Sequence, residues 1–426
     1  MKMSLITNFG ELAAFAGEAA AGLICRALES AIHAVHPSRC IPEYLATDAG
    51  RKFASFLSGA DIICAGGGKA SAQMASALKA SGIPLGRGQI NCNTEGNIGD
   101  VILRKCSHPF PDETTVENTN DCVEMLLNSS EATRIIFLLS GGASSMLSAP
   151  LDFVGLERKR AVSERMMLAG ASISEINCVR RHLSRIKGGK LSRLCHPRGI
   201  TSLIISDVMG NALEDIGSGP TSPDHTTTSD AVALMRRYGA IEFLEGLEET
   251  LLSGRYETVK PGDQSLGPTA NTIIADNSAA VASAVAAASY EGYKALAFPG
   301  KLVGDVDYEA ARFVGNARAS LKGPGLYVGG GEVRVRVTRK GKGGRCQHFA
   351  LSCAGLLREG EFVAAFATDG RDGNTSAAGG LSSANGDSST FLRNFDTGTY
   401  FASNHTTINT GDTGTNVADI YLYFKA

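Results

Sequence analysis

The chain has 426 residues, of which 43% are hydrophobic and 20% are charged. This length predicts two domains of ordinary size, and the composition excludes a disordered chain. The formal net charge of −2, without a long basic run, excludes nucleic acid and anionic membranes as electrostatic partners.

The first 35 residues predict an amphipathic helix. Glu11, Glu18, Arg26 and Glu29 interrupt the apolar residues there, so neither a signal peptide nor a membrane span is expected. The ten cysteines form no C-x-x-C pair, which is typical of buried thiols in a reducing compartment. We therefore expect a cytoplasmic protein.

Apolar strands alternate with helices in the first half of the chain. Strands are predicted at 61–65, 134–140 and 201–206, with helices after Lys69 and after the glycines that follow the second strand. Ser172 and Glu175 fit a capping box that begins a helix through residues 176–186. Near-continuous apolar strands of this kind predict a doubly wound, mostly parallel sheet.

The second half predicts a different sheet. A junction is expected within 221–270, where Thr, Ser, Asp and Gly are frequent and one helical patch covers 231–252. Residues 271–298 predict a strand, a helix and a strand, and a further strand follows at 325–330. The alternation of Val and Arg in 331–340 predicts a half-exposed strand and hence a mixed sheet. We place the domains at 1–240 and 241–426.

Two glycine-rich turns are candidate anion sites. The first is Gly66-Gly67-Gly68-Lys69, and the second runs from Ser140 to Ser145. The first is not the common P-loop, which needs glycine where this chain has Ile63. Glycines between a strand and a helix expose backbone amides that attract anions, and ligands of open α/β sheets lie beyond the strand ends. The alternative is that the glycines only make sharp turns.

Asp207 follows the strand at 201–206 and is a candidate for binding Mg²⁺ or accepting a hydroxyl proton. Helix capping is its structural alternative. A basic cluster precedes it, and a solvated surface is the ordinary explanation for such a cluster, although Gly188-Gly189 within it suggests close backbone contact. The cluster consists of Arg180, Arg181, Arg185, Lys187 and Lys190.

Polar clusters follow apolar strands in the second half as well, at Glu332, 341–349 and 368–380. The last of these does not meet the EF-hand calcium pattern. Neither H-E-x-x-H nor G-x-S-x-G occurs, and no G-x-G-x-x-G follows a candidate strand. Zinc hydrolase, serine hydrolase and dinucleotide sites therefore have no sequence support.

Ordered motifs across almost the whole chain resemble the glycerate 2-kinase family, whose C-terminal region is the MOFRL domain. The matching stretches are GGGKAS (66–71), SHPFPDE (107–113), LLSGGASS (138–145), INCVRRHLSRIKGGKL (176–191), SDVMGNALEDIGSGPTSPD (206–224), GGGEVRV (329–335), GKGGRCQHFAL (341–351), TDGRDG (368–373) and TGTNVADI (413–420). Relatives usually have Asn and Glu where this chain has Cys346 and His348, which puts metal binding or substrate choice in the second domain in question.

The resemblance implies ATP-dependent phosphorylation of D-glycerate at its 2-hydroxyl with Mg²⁺ or another divalent metal. It implies two α/β domains with the active site in the cleft between them, and leaves a homo-oligomer open. Catalytic roles fall to Lys69, Asp207 and Arg345, with Asp207 also the metal ligand and Arg345 or Arg180 facing the glycerate carboxylate. The expected phosphate-binding residues are Gly66, Gly67, Gly68, Ser140, Gly141, Gly142, Ser144 and Ser145.

Two rival functions remain at this point. Some relatives carry a hydroxypyruvate reductase label, so an NAD(P)H-dependent reductase is one alternative. A non-enzymatic anion-binding module is the other, and such a module would need no base such as Asp207.

Overall fold

A computed structural model of the chain describes residues 4–384 and 388–426. The chain divides into two compact units: the parallel-sheet unit, Cys40–Ile274, and the mixed-sheet unit, Met1–Arg39 together with Ala275–Ala426. These units differ from the predicted ranges, since the first helices belong with the C-terminal half and residues 241–274 belong with the first sheet. The predicted domains 1–240 and 241–426 stay a prediction.

The parallel-sheet unit is built on seven strands in the order β3-β4-β2-β1-β5-β6-β7. Neighbouring strands from β4 to β6 pair in parallel, and β3 is antiparallel to β4. The strands are β1 (Ile62–Gly67), β2 (Arg87–Cys92), β3 (Gly96–Ile98), β4 (Val101–Lys105), β5 (Arg134–Leu139), β6 (Gly199–Ile205) and β7 (Thr269–Ala275).

Every residue of β1 and β6 is buried, as are five of the six residues of β5. Burial on both faces explains why these strands have continuous apolar sequences. The helices in this part of the chain are α3 (Pro37–Leu45), α4 (Asp48–Leu57), α5 (Ser71–Ala80), α6 (Glu113–Leu127), α7 (Ala143–Met146), α8 (Gly155–Leu168), α9 (Ile173–His182), α10 (Lys190–Cys195), α11 (Thr228–Arg237) and α12 (Glu248–Leu252). The doubly wound, mostly parallel sheet is thereby confirmed.

Local sequence signals set several helix starts. Ser172 accepts from the Glu175 amide and Glu175 accepts from the Ser172 amide, which confirms the predicted capping box of α9. The helix ends at His182, before the predicted end at residue 186. The predicted helical patch at 231–252 is instead α11, a short 3₁₀ turn at Ile241–Leu244 and α12.

The mixed-sheet unit contains six strands in the order β12-β11-β10-β13-β9-β8. Only β8 and β9 pair in parallel; the other pairs are antiparallel. The strands are β8 (Lys294–Ala297), β9 (Gly325–Gly331), β10 (Glu361–Ala367), β11 (Gly379–Ser383), β12 (Thr407–Ile408) and β13 (Asp419–Lys425). The helices are α1 (Phe9–Ala16), α2 (Glu18–Val35), α13 (Asn277–Tyr290), α14 (Val306–Ser320), α15 (Arg345–Ala354), α16 (Ser389–Arg393) and α17 (Thr397–Ser403).

The predicted mixed sheet is confirmed, but the predicted strand at 331–340 is wrong. β8 ends opposite Val328 and β13 begins opposite Gly331, so a strand continuing beyond Gly331 has no neighbouring strand to pair with, and an isolated bridge joins Arg334 to Asp305. The sheet is mixed because β10, β11 and β13 run antiparallel. The predicted N-terminal helix is α1 and α2, separated at Gly17, and its first three residues lie outside the described ranges.

An aromatic cluster fills the core of the mixed-sheet unit. The ring centroid of Phe313 on α14 lies 5.8 Å from that of Phe349 on α15, and the ring centroids of Phe349 and of Tyr421 on β13 are 4.4 Å apart. The Tyr421 hydroxyl donates to Asp419 at 3.1 Å, so the core ends at a buried carboxylate. The Asp419 carboxylate accepts hydrogen bonds from Arg345, one of the predicted site residues.

Candidate active site

Three adjacent strand ends bring most of the predicted site residues to one edge of the parallel sheet. Gly67 of β1 pairs with Leu139 of β5, which pairs with Ile204 of β6. The turns after these strands contain Lys69, Ser140–Ser145 and Asp207 respectively. This is the edge at which open α/β sheets bind ligands.

The first glycine turn is shaped by close packing against the second. Gly66 and Gly68 have φ of +152° and +133°, and a Cβ on Gly68 would lie 2.3 Å from Ser140 Oγ. The amide of Gly68 donates to Asn91 O at 3.0 Å, that of Lys69 to Gly141 O at 2.8 Å and that of Ala70 to Ser140 Oγ at 3.0 Å. These contacts give the glycines a packing reason, and they occupy the Gly68, Lys69 and Ala70 amides.

The second turn keeps donors available. Among the described residues, no hydrogen bond is made by the amides of Gly141, Gly142 and Ser144, whereas those of Ala143 and Ser145 donate to Ser140 O and Gly142 O. Gly142 has φ of +88°, which a left-handed turn of this kind requires. Successive backbone N–H groups in such a turn form a concavity that suits an anion.

The three serines of this turn have different tasks. Ser140 Oγ lies 3.1 Å from Ser71 Oγ and accepts from Ala70, and Ser145 Oγ donates to Gly142 O at 3.0 Å. Both are buried. Ser144 is half-buried, with its hydroxyl 3.5 Å from that of Ser218. Of the three predicted phosphate-binding hydroxyls, Ser144 is therefore the best placed for a ligand.

The side chain of Lys69 packs beside this second turn. A Cβ on Gly142 would lie 3.3 Å from Lys69 Cγ and 3.1 Å from His108 Cδ2, so both side chains cover the glycine. Lys69 is half-buried and His108 is exposed. His108 is a further candidate site residue that its sequence spacing did not indicate, although it lies in the SHPFPDE motif.

Asp207 lies two residues beyond β6 and is half-buried. No α-helix begins there: the next helical segment is the 3₁₀ turn at Ile216–Ser218, so helix capping does not explain the aspartate. Its carboxylate is a hard oxygen ligand of the kind that Mg²⁺ takes. Within residues 4–384 and 388–426, no group of three or more His, Cys, Asp or Glu is arranged to hold a metal. A divalent ion at Asp207 would therefore take most of its ligands from phosphate oxygens and water.

Arg345 lies in the mixed-sheet unit, where its guanidinium is bound by carboxylates. Its Nε is 2.6 Å and its Nη2 3.1 Å from the oxygens of buried Asp419, and Nη1 contacts Glu332. This pairing occupies the fork that was expected to hold a substrate carboxylate. The contacts favour a structural role, and the catalytic role of Arg345 stays a prediction.

The polar motifs around Arg345 cap α15. Asp372 accepts from the amides of Cys346 at 3.0 Å and Gln347 at 2.8 Å, and a Cβ on Gly344 would meet it at 2.1 Å. Burial raises the pKa of Asp372 to about 7 despite these two bonds. Cys346 is fully buried, and the His348 ring stacks on Phe395 at 5.7 Å, so both departures from the family pattern are packing residues here.

The basic cluster is not a solvated surface, because Arg181, Lys187 and Lys190 are buried. Arg181 pairs with Asp215 and Asp224 at 3.1 Å each. A Cβ on Gly188 would lie 2.6 Å from Thr258 Cγ2, which confirms the close contact expected at Gly188-Gly189. The fold and these turns define a doubly wound α/β protein with a candidate anion turn.

Two family models match the chain: the family described as a domain of unknown function (DUF4147) over residues 23–251, and the MOFRL family over residues 325–419. A D-glycerate 2-kinase of Thermotoga maritima is 33% identical, with 93% of this chain and 96% of that protein aligned. A relative from Agrobacterium vitis with a provisional hydroxypyruvate reductase name is 36% identical over 75% of each chain. A crystal structure of glycerate kinase from Thermotoga maritima has a TM-score of 0.84 at 32% identity, covering 96% of this chain and 100% of that one. The chain belongs to the glycerate 2-kinase family.

No helix in the described ranges is long and apolar enough to span a membrane.

Proposed function

We propose that the protein transfers the γ-phosphoryl group of ATP to the 2-hydroxyl of D-glycerate. The observation that carries this proposal is the meeting of Lys69, the second glycine turn and Asp207 at adjacent strand ends. Phosphoryl transfer asks a protein mainly to position its substrates and to neutralise charge. A lysine, a turn with available amides and a carboxylate supply those two requirements.

Each part has a proposed task. The amides of Gly141, Gly142 and Ser144, with the Ser144 hydroxyl, hold phosphate oxygens of the nucleotide. Lys69, which packs beside Gly142, neutralises charge that develops on the transferred group. We assign the phosphates to the second turn rather than to Gly66–Gly68, because the Gly68 amide donates to Asn91 O.

Asp207 has two proposed tasks at the same place. It either binds the divalent metal or accepts the proton of the glycerate hydroxyl, and a half-buried carboxylate at a strand end suits both. When bound with ATP, Mg²⁺ neutralises phosphate charge. The cleft site, the cytoplasmic location and the homo-oligomer stay predictions.

The kinase function is favoured over the two rivals. The Thermotoga maritima relative, which aligns with nearly the whole chain, is named a D-glycerate 2-kinase. No G-x-G-x-x-G follows a strand, which leaves a nicotinamide cofactor without its usual turn, so we treat the reductase name as a mislabel. A binding module would need no base or metal ligand such as Asp207 beside the anion turn.

Product formation separates these functions. The purified protein is incubated with D-glycerate, ATP and Mg²⁺ and, separately, with hydroxypyruvate and NADH, while ADP and NADH are followed. We expect ADP release that needs both glycerate and the metal. NADH oxidation that is faster than ADP release would favour the reductase. If the protein catalyses neither reaction, the anion-binding module is the remaining function.

A further inference from the structure

Three basic residues in the parallel-sheet unit act on one another electrostatically and have no carboxylate partner in the described part of the chain. They are Lys159 on α8, Arg180 on α9 and Lys187 in the segment before α10. Lys159 is 9% exposed, Lys187 is 1% exposed and Arg180 is half-buried. In the described part of the chain, none of the three makes an ion pair.

The charges of these residues act on one another. Burial, followed by the charge of Arg180, lowers the pKa of Lys159 to about 7. Burial also lowers the pKa of Lys187, and the charges of Lys159 and Arg180 lower it as well. Burying one unpaired charge is costly, and gathering three of the same sign adds repulsion to that cost. Such an arrangement is typical of a functional site rather than of a stabilising one.

Two neighbouring basic residues differ from these three in the carboxylates that act on them. Arg181 pairs with two aspartates. Lys190 donates to two backbone carbonyls, those of Ser184 at 2.7 Å and Tyr256 at 3.0 Å, as Lys187 also does to two carbonyls. Carboxylates also act on Lys190, because Glu257 and Asp224 raise its pKa against the effect of burial. Their compensated charges make these two residues part of the structural framework.

The cation cluster joins the candidate active site through Lys187. Its Nζ donates to Ala143 O at 3.2 Å and to Gly217 O at 2.6 Å. Ala143 follows the glycines of the second turn, and Ser218, next to Gly217, has its hydroxyl 3.5 Å from that of Ser144. Ser218 also has φ of +60°, a conformation that a residue with a side chain adopts at a cost. Lys187 therefore connects the cluster directly to the backbone of the second glycine turn.

We propose that Lys159, Arg180 and Lys187 form an anion subsite that takes the carboxylate of the three-carbon hydroxy acid. The proposal rests on the proposed kinase function for the identity of that acid. Arg180 and Lys159 are the more exposed members and contact the carboxylate. The planar guanidinium fork of Arg180 matches two carboxylate oxygens. Lys187 lies deeper and holds the turn in place through its bonds to Ala143 O and Gly217 O.

The assignment to a carboxylate rather than to nucleotide phosphate follows from the turn. The amides of Gly141, Gly142 and Ser144, together with Lys69, already form a place for phosphate. The second anion of the reaction is the carboxylate of the acid. The neighbouring Arg181 is already paired with two aspartates, whereas Arg180 has no carboxylate partner among the described residues. Arg345, the other predicted partner, is bound to Asp419 and Glu332.

The test uses Arg180→Gln and Lys159→Met, with Arg158→Gln as the control on an exposed neighbour of Lys159. Removing one partner of a desolvated charge pair should raise the KM for D-glycerate about 30-fold or more, with the KM for ATP changed less than about twofold. The control should behave as wild type. A raised KM for ATP instead of glycerate would assign the cluster to phosphate and overturn the proposal, as would unchanged values of both.

Two further measurements keep the test independent of turnover and of folding. D-glycerate and its neutral amide are titrated into the ligand-free protein by calorimetry; wild type should prefer the acid, and both variants should lose that preference. Melting of ligand-free Lys159→Met should occur at the wild-type temperature or above, because a buried charge has been removed; a lower temperature with unchanged glycerate affinity would show a structural role. If wild type releases no ADP but the preference for the acid and its loss persist, the kinase function fails and the subsite stands.

Discussion

Lys69→Met separates the charge of Lys69 from its packing. Methionine keeps an apolar stem beside Gly142 and His108, where a Cβ on Gly142 would lie 3.3 Å from Lys69 Cγ, but removes the ammonium. Removing a group that stabilises charge only in the transition state costs about 3–4 kcal/mol, which is a factor of 10²–10³ in rate. We expect kcat/KM for glycerate to fall by that factor.

Stability should hardly change in this variant. Lys69 is half-buried and outside the hydrophobic clusters, so its melting temperature should stay within a few degrees of wild type. Lys69→Arg should recover only part of the activity, because the broad guanidinium does not fit the space beside His108 as the ammonium does.

The assay is glycerate-dependent ADP release, with Lys79→Met as the matched control. Lys79 lies in the last turn of α5, the helix that follows Lys69, and is exposed. The control should retain wild-type kcat/KM. Near-full activity of folded Lys69→Met would refute the assignment of this strand end to phosphoryl transfer.

Three further predictions concern single residues. Asp207→Asn should lower kcat at least about 100-fold, because asparagine keeps the size of the side chain but removes the carboxylate charge; retained activity at saturating Mg²⁺ would exclude both proposed tasks. Arg345→Gln leaves the buried carboxylate of Asp419 uncompensated and should destabilise the mixed-sheet unit by about 3 kcal/mol, seen as a lower melting temperature; an unchanged melting temperature with lost activity would restore its catalytic role. Burial lowers the pKa of Lys159 from 10.5 to about 7, so between these values the folded chain binds fewer protons than the unfolded chain, and stability should rise with pH. Melting of Lys159→Met from pH 7 to 9.5 should show a smaller rise than wild type, while Lys190, whose pKa is also about 7, contributes equally to both chains; parallel curves would contradict the buried charge.

The sequence was sufficient for the elements that position the site. Continuous apolar runs predicted β1, β5 and β6, because strands buried on both faces need them, and parallel pairing then set their ends side by side. The candidate residues after those strands followed from this order. The capping box at Ser172 was equally readable, since both partners lie within one helical turn.

What the sequence did not predict depends on contacts between distant segments. The Val-Arg alternation after Gly331 has the period of a strand, but the two strands that flank β9 do not extend beyond Gly331, so this segment has no pairing partner. Glycine spacing could not tell which amides are occupied, because the acceptor of the Gly68 amide is Asn91 on another strand. Arg345 and Asp419 are 74 residues apart in the sequence, so no local pattern predicts that they pair.

The sequence predicted Arg180 as a partner of the glycerate carboxylate, but it did not predict a role for Lys159 or Lys187, for the same reason. Lys159 stands between two arginines in an ordinary charged helix, and its burial follows only from the packing of α8 in the unit. Arg180 and Lys187 were noticed as part of a basic run, for which solvent exposure is the usual explanation. Their lack of carboxylate partners in the described ranges became visible only with the side chains in place.

The central claim is that phosphate is transferred to the 2-hydroxyl of D-glycerate, and phosphorus NMR of the reaction product tests it most directly. The protein is incubated with D-glycerate, ATP and Mg²⁺, and the product is compared with authentic 2-phosphoglycerate and 3-phosphoglycerate. We predict a 2-phosphoglycerate signal that grows with ADP and is absent without the metal. A 3-phosphoglycerate signal, or no phosphorylated acid from folded protein that oxidises NADH with hydroxypyruvate, would contradict the account.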